Sequence, residues 1–143
     1  MEKKETASSV SLSSLNAVKA SDTPFEFEYI TPDGDNSGVF LSILGGQSEV
    51  VTKTAAKMIN EHRRKKAARE MNSRFNSKNN VDFDTLESDV EFGQRLAAIR
   101  IVGWRGITDP FTPENALLLC QTNKLIAAQV MEQSENLANF MRL

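Results

Sequence analysis

The sequence predicts an α+β fold, mostly α, with a short N-terminal β-hairpin followed by about four helices. From Phe25 to Ile30 apolar and polar residues alternate, as they do in a half-buried strand. Residues 39–44 form a second apolar run, and residues 32–38 between the two runs are of turn-forming types, so the pair predicts a hairpin. A lone hairpin is marginal in water, so it must pack against helices or against the sheet of another chain.

Length and composition fit one domain. The chain has 143 residues, of which 40% are hydrophobic and 25% are charged, as is ordinary for a globular protein with a modest core. Residues 1–22 are rich in Ser, Ala, Lys and Glu, and this composition predicts a flexible N-terminal tail. Residues 23–143 are predicted to form a single domain. It comprises a hairpin over 23–46 and a helical part over 47–143, with a polar linker near 72–81.

Charge and cysteine content indicate a compartment and argue against some partners. The formal net charge is -2, so we expect no general affinity for nucleic acid or for anionic lipid. The single cysteine, Cys120, lies in an apolar run, which favours a buried, inert thiol in a reducing compartment. The sequence starts without a signal-peptide pattern and has no run of about 20 apolar residues, so we expect a cytoplasmic protein without a membrane segment.

The first long helix is predicted to begin at Glu49, with Ser48 as its N-cap. Its apolar face ends at His62, and residues 63–69 are predicted to project into solvent. The face comprises Val51, Ala55, Met58, Ile59 and His62.

The next helix is predicted to begin at Asp82 or Asp84 and to run to about Val102. Apolar residues lie on two of its sides, which indicates a helix sandwiched between neighbours. Residues 103–107 contain two glycines and predict a turn or break.

Two capping signals define the last helices. Residues 112–114 (Thr-Pro-Glu) supply an N-cap, a proline at the first helical position and an acid in the first turn, so a helix is predicted from there to about Gln121. Asn123 is predicted to cap a last helix over 124–141. One face of that helix is apolar and comprises Ile126, Val130, Leu137, Phe140 and Met141.

No pattern in the sequence indicates catalysis, a cofactor or a metal. Residues 33–38 begin like a calcium-binding loop, but the twelfth position is Leu44 instead of a bidentate Glu, so a hairpin turn is the better account. Gly45 and Gly46 lack the spacing of a phosphate loop and predict a tight strand-to-helix turn. One histidine and one cysteine supply neither a nucleophile–base pair nor a zinc ligand set. We therefore expect a protein-binding chain and not an enzyme.

The basic run at residues 62–69 allows three interpretations. A helix that is solvated, or paired with the acidic residues of the next helix, is favoured. A contact with another protein comes second. A nucleic-acid contact comes last, because the run has no interleaved aromatic residues and the net charge is negative.

Trp104 is the single tryptophan of the chain and lies between two glycines. It is predicted either to cover the core formed by the preceding helices or to anchor an interface, since tryptophan is enriched in binding hot spots.

Several segments of the second half resemble the tail assembly chaperones of long-tailed, lambda-like bacteriophages. The resemblance begins with residues 102–107 (Val-Gly-Trp-Arg-Gly-Ile), Pro110 and residues 112–115 (Thr-Pro-Glu-Asn). It continues through residues 126–130 (Ile-Ala-Ala-Gln-Val) and closes at residues 139–140 (Asn-Phe).

The hairpin and residues 45–48 (Gly-Gly-Gln-Ser) also resemble the N-terminal part of such proteins, so the resemblance spans about residues 25–140. It implies a function. Such chaperones bind the tape-measure protein, keep it soluble and promote assembly of the tail-tube protein around it. The resemblance also implies a location in the host cell cytoplasm and absence from the mature virion, and we expect a homo-oligomer. The alternatives are a virion structural protein of the tail or connector, and a small nucleic-acid-binding regulator that uses residues 62–69.

The partner-binding surface is predicted to lie on Trp104 and the last helix. Gln133 and Ser134 lie beside the apolar face of that helix, where they would be costly in a dry core but tolerable at a partly wet interface. The predicted partner-binding residues are Trp104, Ile126, Val130, Met131, Leu137, Phe140 and Met141.

Overall fold

A computed structural model describes the backbone of residues 9–76 and 81–142 and the side chains of residues 9–72 and 87–142. It confirms the predicted α+β class, and the four helices expected after the hairpin are α2 to α5. The helices and strands are α1 (Ala17–Ala20), β1 (Phe25–Ile30), β2 (Asn36–Ile43), α2 (Glu49–Asn76), α3 (Val81–Ala98), β3 (Ile101–Arg105), α4 (Pro113–Thr122) and α5 (Lys124–Glu135). Short 3-10 turns occupy Leu12–Leu15 and Leu137–Asn139.

The predicted hairpin is present and forms part of a three-stranded antiparallel sheet in the order β1-β2-β3. Its turn is closed by the Thr31 amide, which donates to the carbonyl of Asp35 at 2.9 Å, and Gly34 takes the φ of 90° that this turn requires. Phe27 pairs with Leu41, and Leu41 pairs with Trp104, so these side chains share the face that looks into the core.

The third strand corrects the sequence prediction of a helix to about Val102 and a turn over 103–107. Helix α3 ends at Ala98, and Ile101–Arg105 pairs with β2 instead. The strand signal is hidden because the register shifts between Ser42 and Ile43 and because Gly103 adds no side chain to the outer face. Gly106, at φ 89°, ends the strand against the Gly38 backbone, where a Cβ atom would not fit.

The core lies between the inner face of the sheet and helices α3, α4 and α5. Helix α4 contacts β3, helix α5 contacts β1, and α3 contacts α2, α4 and α5. The predicted sandwich position of α3 is therefore present. The fully buried residues of the core include Leu41, Ile43, Ala97, Cys120 and Val130.

The edge strand β1 is covered by a side chain of α5. The Ile30 amide donates to Oε1 of Gln129 at 3.1 Å, and Nε2 of Gln129 donates to the Ile30 carbonyl at 2.8 Å. The carboxamide thus takes the place of a neighbouring strand, which limits edge-to-edge pairing at this point.

The segment between β2 and α2 is held by hydrogen bonds from several directions. The Leu44 amide donates to the Arg100 carbonyl at 2.9 Å, and the Ser134 hydroxyl donates to the Leu44 carbonyl at 2.8 Å. A Cβ atom on Gly46 would lie 2.5 Å from the carboxylate of Glu135, which itself pairs with Arg100 at 2.9 Å. Close packing therefore explains the predicted tight turn.

Capping residues set the starts of α4 and α5 as predicted, but α3 begins at Val81, before the predicted caps Asp82 and Asp84, and the last helix is shorter. Thr112 accepts from the Asn115 amide at 3.0 Å, and Asn123 accepts from the Ile126 amide at 3.0 Å. Helix α5 ends at Glu135 instead of about residue 141, because the Asn136 side chain accepts from the Ala138 amide at 3.2 Å and starts a separate turn.

Contacts with the rest of the protein begin within the predicted tail, and helix α2 extends into the predicted linker. Residues 9–16 are exposed, but Ser21 is buried, and its carbonyl accepts from the Gly45 amide at 2.9 Å. The Ser48 hydroxyl donates to Asp22 at 2.7 Å. Flexibility of residues 1–22 stays a prediction, and residues 1–8 lie outside the described part. Of the linker predicted near 72–81, residues 72–76 continue α2 and residues 77–80 lie outside the description.

Candidate partner-binding groove

Helices α2, α3 and α4 diverge around an open cavity of about 450 Å³, which we call the apolar groove. Most of its lining side chains carry no charge and few polar atoms. The lining residues are Thr54, Met58, Arg95, Ala98, Ile99, Ile101, Pro113 and Leu117.

Local sequence explains why the apolar groove stays open. The buried stripe of α2 ends at Met58, so the helix no longer closes onto the core beyond this point. Ala98 is the last residue of α3 and is too small to fill the space, while Pro113 starts α4 with a short, rigid side chain. Ile99 and Leu117 remain half-buried. Such a groove can accept the apolar side chains of an added helix.

A smaller cavity of about 150 Å³ between α2 and α3, the basic cavity, shares Arg95 with the apolar groove. Three residues with permanent positive charge line it, together with a histidine and two glutamates. The full lining is Glu61, His62, Lys65, Arg69, Ser88, Glu91, Phe92 and Arg95.

Polar contacts join α2 to α3 beside the basic cavity. His62 lies 2.8 Å from Asp89 and stacks on the Phe92 ring with centroids 4.2 Å apart. Lys66 also approaches Asp89, at 3.4 Å. The hydrogen bond from His62 and then the positive charge of Lys66 hold the pKa of Asp89 below its usual value. These residues of the basic run are thus internally paired.

Three further residues of the basic run face water. Arg63, Arg64 and Lys65 are exposed, and none of them forms an ion pair with a described residue. This arrangement agrees with the favoured interpretation of a helix that is partly solvated and partly paired.

Trp104 is neither fully core nor fully interface. Its indole N–H donates to the Asp109 carbonyl at 3.0 Å, and its ring meets Phe111 edge-on with centroids 5.2 Å apart. The side chain is half-buried and lines an open cleft of about 160 Å³ on the other side of α4, which also contains Leu118 at 55% exposure. We call this space the Trp104 cleft.

The structure corrects the predicted role of the last helix. Ile126 is 4% exposed and Val130 is 0% exposed, because their face packs into the core and not toward a partner. Ser134 is also buried, and its hydrogen bond to Leu44 removes the desolvation cost that suggested a wet interface. Neither Ile126 nor Val130 can contact a partner while α5 stays in place.

The remaining predicted residues are half-buried. The sulfur of Met131 accepts from Arg100 at 2.8 Å, and Phe140 meets Phe25 edge-on with centroids 5.8 Å apart. Leu137 and Met141 lie in the turn after α5, so they do not extend the helical face. The structure therefore disperses the seven predicted residues over the core, the Trp104 cleft and the C-terminal turn.

Comparison with known proteins adds one finding. Residues 47–142 match the family described as YdaY prophage protein, and this is more than half of the chain. The chain belongs to the YdaY prophage protein family. It is thus a phage-derived protein. No curated protein and no solved structure matches it.

The part that matches the YdaY family contains the whole apolar groove. The match starts two residues before α2 and includes β3 but neither β1 nor β2. All residues that line the groove, the basic cavity and the Trp104 cleft lie within it.

Sequence reasoning missed the groove, although one signal pointed toward it. Residues 117–119 are three consecutive leucines, so they project from α4 in three directions. A helix on the surface can bury only part of such a run. Leu117 lines the groove, while Leu118 and Leu119 line the Trp104 cleft.

Two further observations concern chemistry and membranes. Burial raises the pKa of the Cys120 thiol to about 11, which fits an inert side chain. Within the described residues no three His, Cys, Asp or Glu side chains come close enough to hold a metal ion, and no helix is long and apolar enough to cross a membrane.

Proposed function

We propose that this YdaY-family protein is a phage tail assembly chaperone that binds the tape-measure protein in its apolar groove. It keeps the tape-measure protein soluble and promotes assembly of the tail-tube protein around it, and it is not part of the mature virion. The single observation that carries the proposal is the open apolar groove between α2, α3 and α4.

The groove suits a helical client with an apolar stripe. Its lining presents half-buried aliphatic side chains, Ile99 and Leu117, over buried Ala98 and Ile101. A helix that enters it would contribute residues at i, i+3, i+4 and i+7. The resemblance of residues 102–140 to tail assembly chaperones implies a tape-measure protein as the partner. Such a protein is long and helical with an apolar pattern, and it must be kept soluble before the tube forms.

Co-expression with a fragment of the tape-measure protein encoded by the same prophage tests the proposal. The double variant Ile99→Gln with Leu117→Gln should leave the fragment insoluble, because it places two amides in the groove. The matched control is Leu118→Gln, on the same helix but facing the Trp104 cleft, and it should solubilise the fragment as the wild type does. Thermal melts of each variant alone check that the fold is intact.

Two outcomes would contradict this assignment. If the folded double variant still solubilises the fragment, the apolar groove is not the binding surface. If Leu118→Gln alone loses the fragment, the Trp104 cleft is the surface instead.

Composition of purified particles separates the chaperone from a virion structural protein. Mass spectrometry of mature particles should detect the tube and tape-measure proteins without this chain. Its presence at a fixed copy number per particle would favour the structural alternative.

A further inference from the structure

We infer that the basic cavity is a carboxylate-binding site that recognises an Asp or Glu side chain on the helix that occupies the apolar groove. The inference rests on the proposed function, since it states which client segments the groove selects. It assigns a chemical class of ligand to charged groups of α2 and α3.

The first observation is the continuity of the two spaces. Arg95 lines both of them, between apolar Ala98 on one side and Ser88 on the other. A helix rises about 1.5 Å per residue, so a client helix in the groove brings its next turn to the basic cavity. The same segment can therefore contact both spaces.

The second observation is that guanidinium groups in the basic cavity have unused donors. Nη2 of Arg69 donates to the Ser88 hydroxyl at 3.3 Å, but its Nη1 is buried with no hydrogen-bond partner in the described structure. Arg95 forms no ion pair with any described residue. A buried donor without a partner is costly, and a guanidinium can bind a carboxylate through two parallel hydrogen bonds.

The described acidic groups near the basic cavity do not fill this role. Asp89 is engaged by His62 and Lys66. Glu61 and Glu91 line the rim but are exposed, and neither forms an ion pair within the described residues. No described acidic side chain therefore pairs with Arg69 or Arg95, and their positive charge can attract a ligand from outside the chain.

Size restricts the ligand further. A volume of about 150 Å³ cannot hold a helix, and a bound water occupies roughly 30 Å³. The cavity fits one carboxylate with a few waters. The client is then an amphipathic helix whose apolar stripe ends in an acidic residue.

Binding of synthetic peptides to the full chain tests the site. Three fluorescent peptides of about 18 residues share one leucine stripe at helical spacing and differ at the end of the stripe, where they carry Glu, Gln or Lys. The Glu peptide should bind about tenfold more tightly than the Gln peptide, and the Lys peptide more weakly than both. Fluorescence anisotropy at fixed ionic strength measures the three dissociation constants.

Charge-removing variants locate the effect. Arg69→Gln, at a residue outside the apolar groove, should bring the Glu peptide close to the affinity of the Gln peptide while leaving Gln-peptide binding within about twofold. Arg95→Gln should also reduce the preference for the Glu peptide over the Gln peptide. Arg95→Glu should reverse the preference in favour of the Lys peptide. The control is Arg64→Gln, which removes the same charge from an exposed position of α2 outside both spaces and should keep the full preference.

Each failure has a distinct meaning. Equal affinities of the Glu and Gln peptides for the wild type would overturn the carboxylate site and leave the groove proposal standing. Both the groove and the carboxylate site would be overturned by two results together: no peptide binds the wild type, and the groove variants still capture and solubilise the tape-measure fragment. If millimolar inorganic phosphate abolishes the preference without Arg69 or Arg95 mattering, the effect is general charge screening and the assignment is wrong.

Discussion

The sheet end of the molecule and the α2–α3 helical hairpin are held together by different forces. At the sheet end, side chains such as Leu41, Ile43 and Val130 have no exposure, and apolar burial fixes the structure. Beyond Met58 the described side chains of the two helices meet through the contacts of His62 and its neighbours, which are mostly polar and partly exposed. The first region must therefore stay closed, whereas the second can adjust. Both candidate binding spaces on α2 and α3 lie at the boundary between the two regions.

The largest expected effect is at the centre of the sheet end. Val130→Asp places an unpaired carboxylate at a position with 0% exposure and should cost about 3–5 kcal/mol, a large part of the stability of a domain of this size. Leu125→Asp, on the same helix at 37% exposure, is the control and should change the melting temperature little. Circular dichroism melts measure both. A folded Val130→Asp variant with a normal melt would show that this face of α5 is not core.

The next effect compares one serine from each region. Ser134→Ala removes the donor to the buried Leu44 carbonyl and should cost about 1–3 kcal/mol. Ser88→Ala removes a longer, half-exposed bond with Arg69 and should cost less than about 1 kcal/mol. Urea unfolding curves of the two variants give the free energies. Equal costs would mean that the two regions are stabilised by the same forces.

Sequence patterns predict the parts of this fold that are determined locally. The hairpin follows from alternation at residues 25–30, and the starts of α4 and α5 follow from side-chain caps at Thr112 and Asn123. Strand β3 could not be predicted in this way, because its pairing with β2 joins residues about 60 positions apart and Gly103 interrupts its pattern.

The candidate site was harder to predict than the fold. An apolar stripe shows that a helix face will be covered, but it does not show whether the same chain or a partner covers it. The sequence is therefore equally compatible with Ile126 and Val130 in an interface and with both in the core. The apolar groove depends on Met58, Ile99 and Leu117, which come from three separate elements. Their meeting is a consequence of tertiary packing that periodicity in one segment does not reveal.

A smaller effect should appear in the pH dependence of the melting temperature, through the contacts between α2 and α3. The contacts with His62 and Lys66 hold the pKa of Asp89 below its usual value, so the carboxylate is favoured in the folded state. Its contribution to stability is present above the ordinary Asp range and is lost as pH falls through the lowered pKa. From about pH 5 downward the melting temperature of the wild type should therefore fall more than that of Asp89→Asn. Parallel curves for the two proteins would show that the pairing contributes nothing to folding.

The smallest effect concerns Cys120, whose thiol should not react with a labelling reagent unless the sheet end opens. Burial raises the pKa of its thiol to about 11, so at pH 8 the group is neutral and out of reach of a thiol reagent. The raised pKa contributes stability that is complete below the ordinary thiol pKa and is lost as pH rises toward 11.

Labelling with a coloured disulfide reagent should then proceed only through unfolding, at least roughly a thousandfold more slowly than in denaturant. A matched probe is the double variant Met71→Cys with Cys120→Ala, which places a thiol at an exposed position of α2 and should react at once. If Cys120 reacts as fast as that probe under native conditions, the sheet end opens as readily as the helical hairpin, and the contrast between the two regions does not hold.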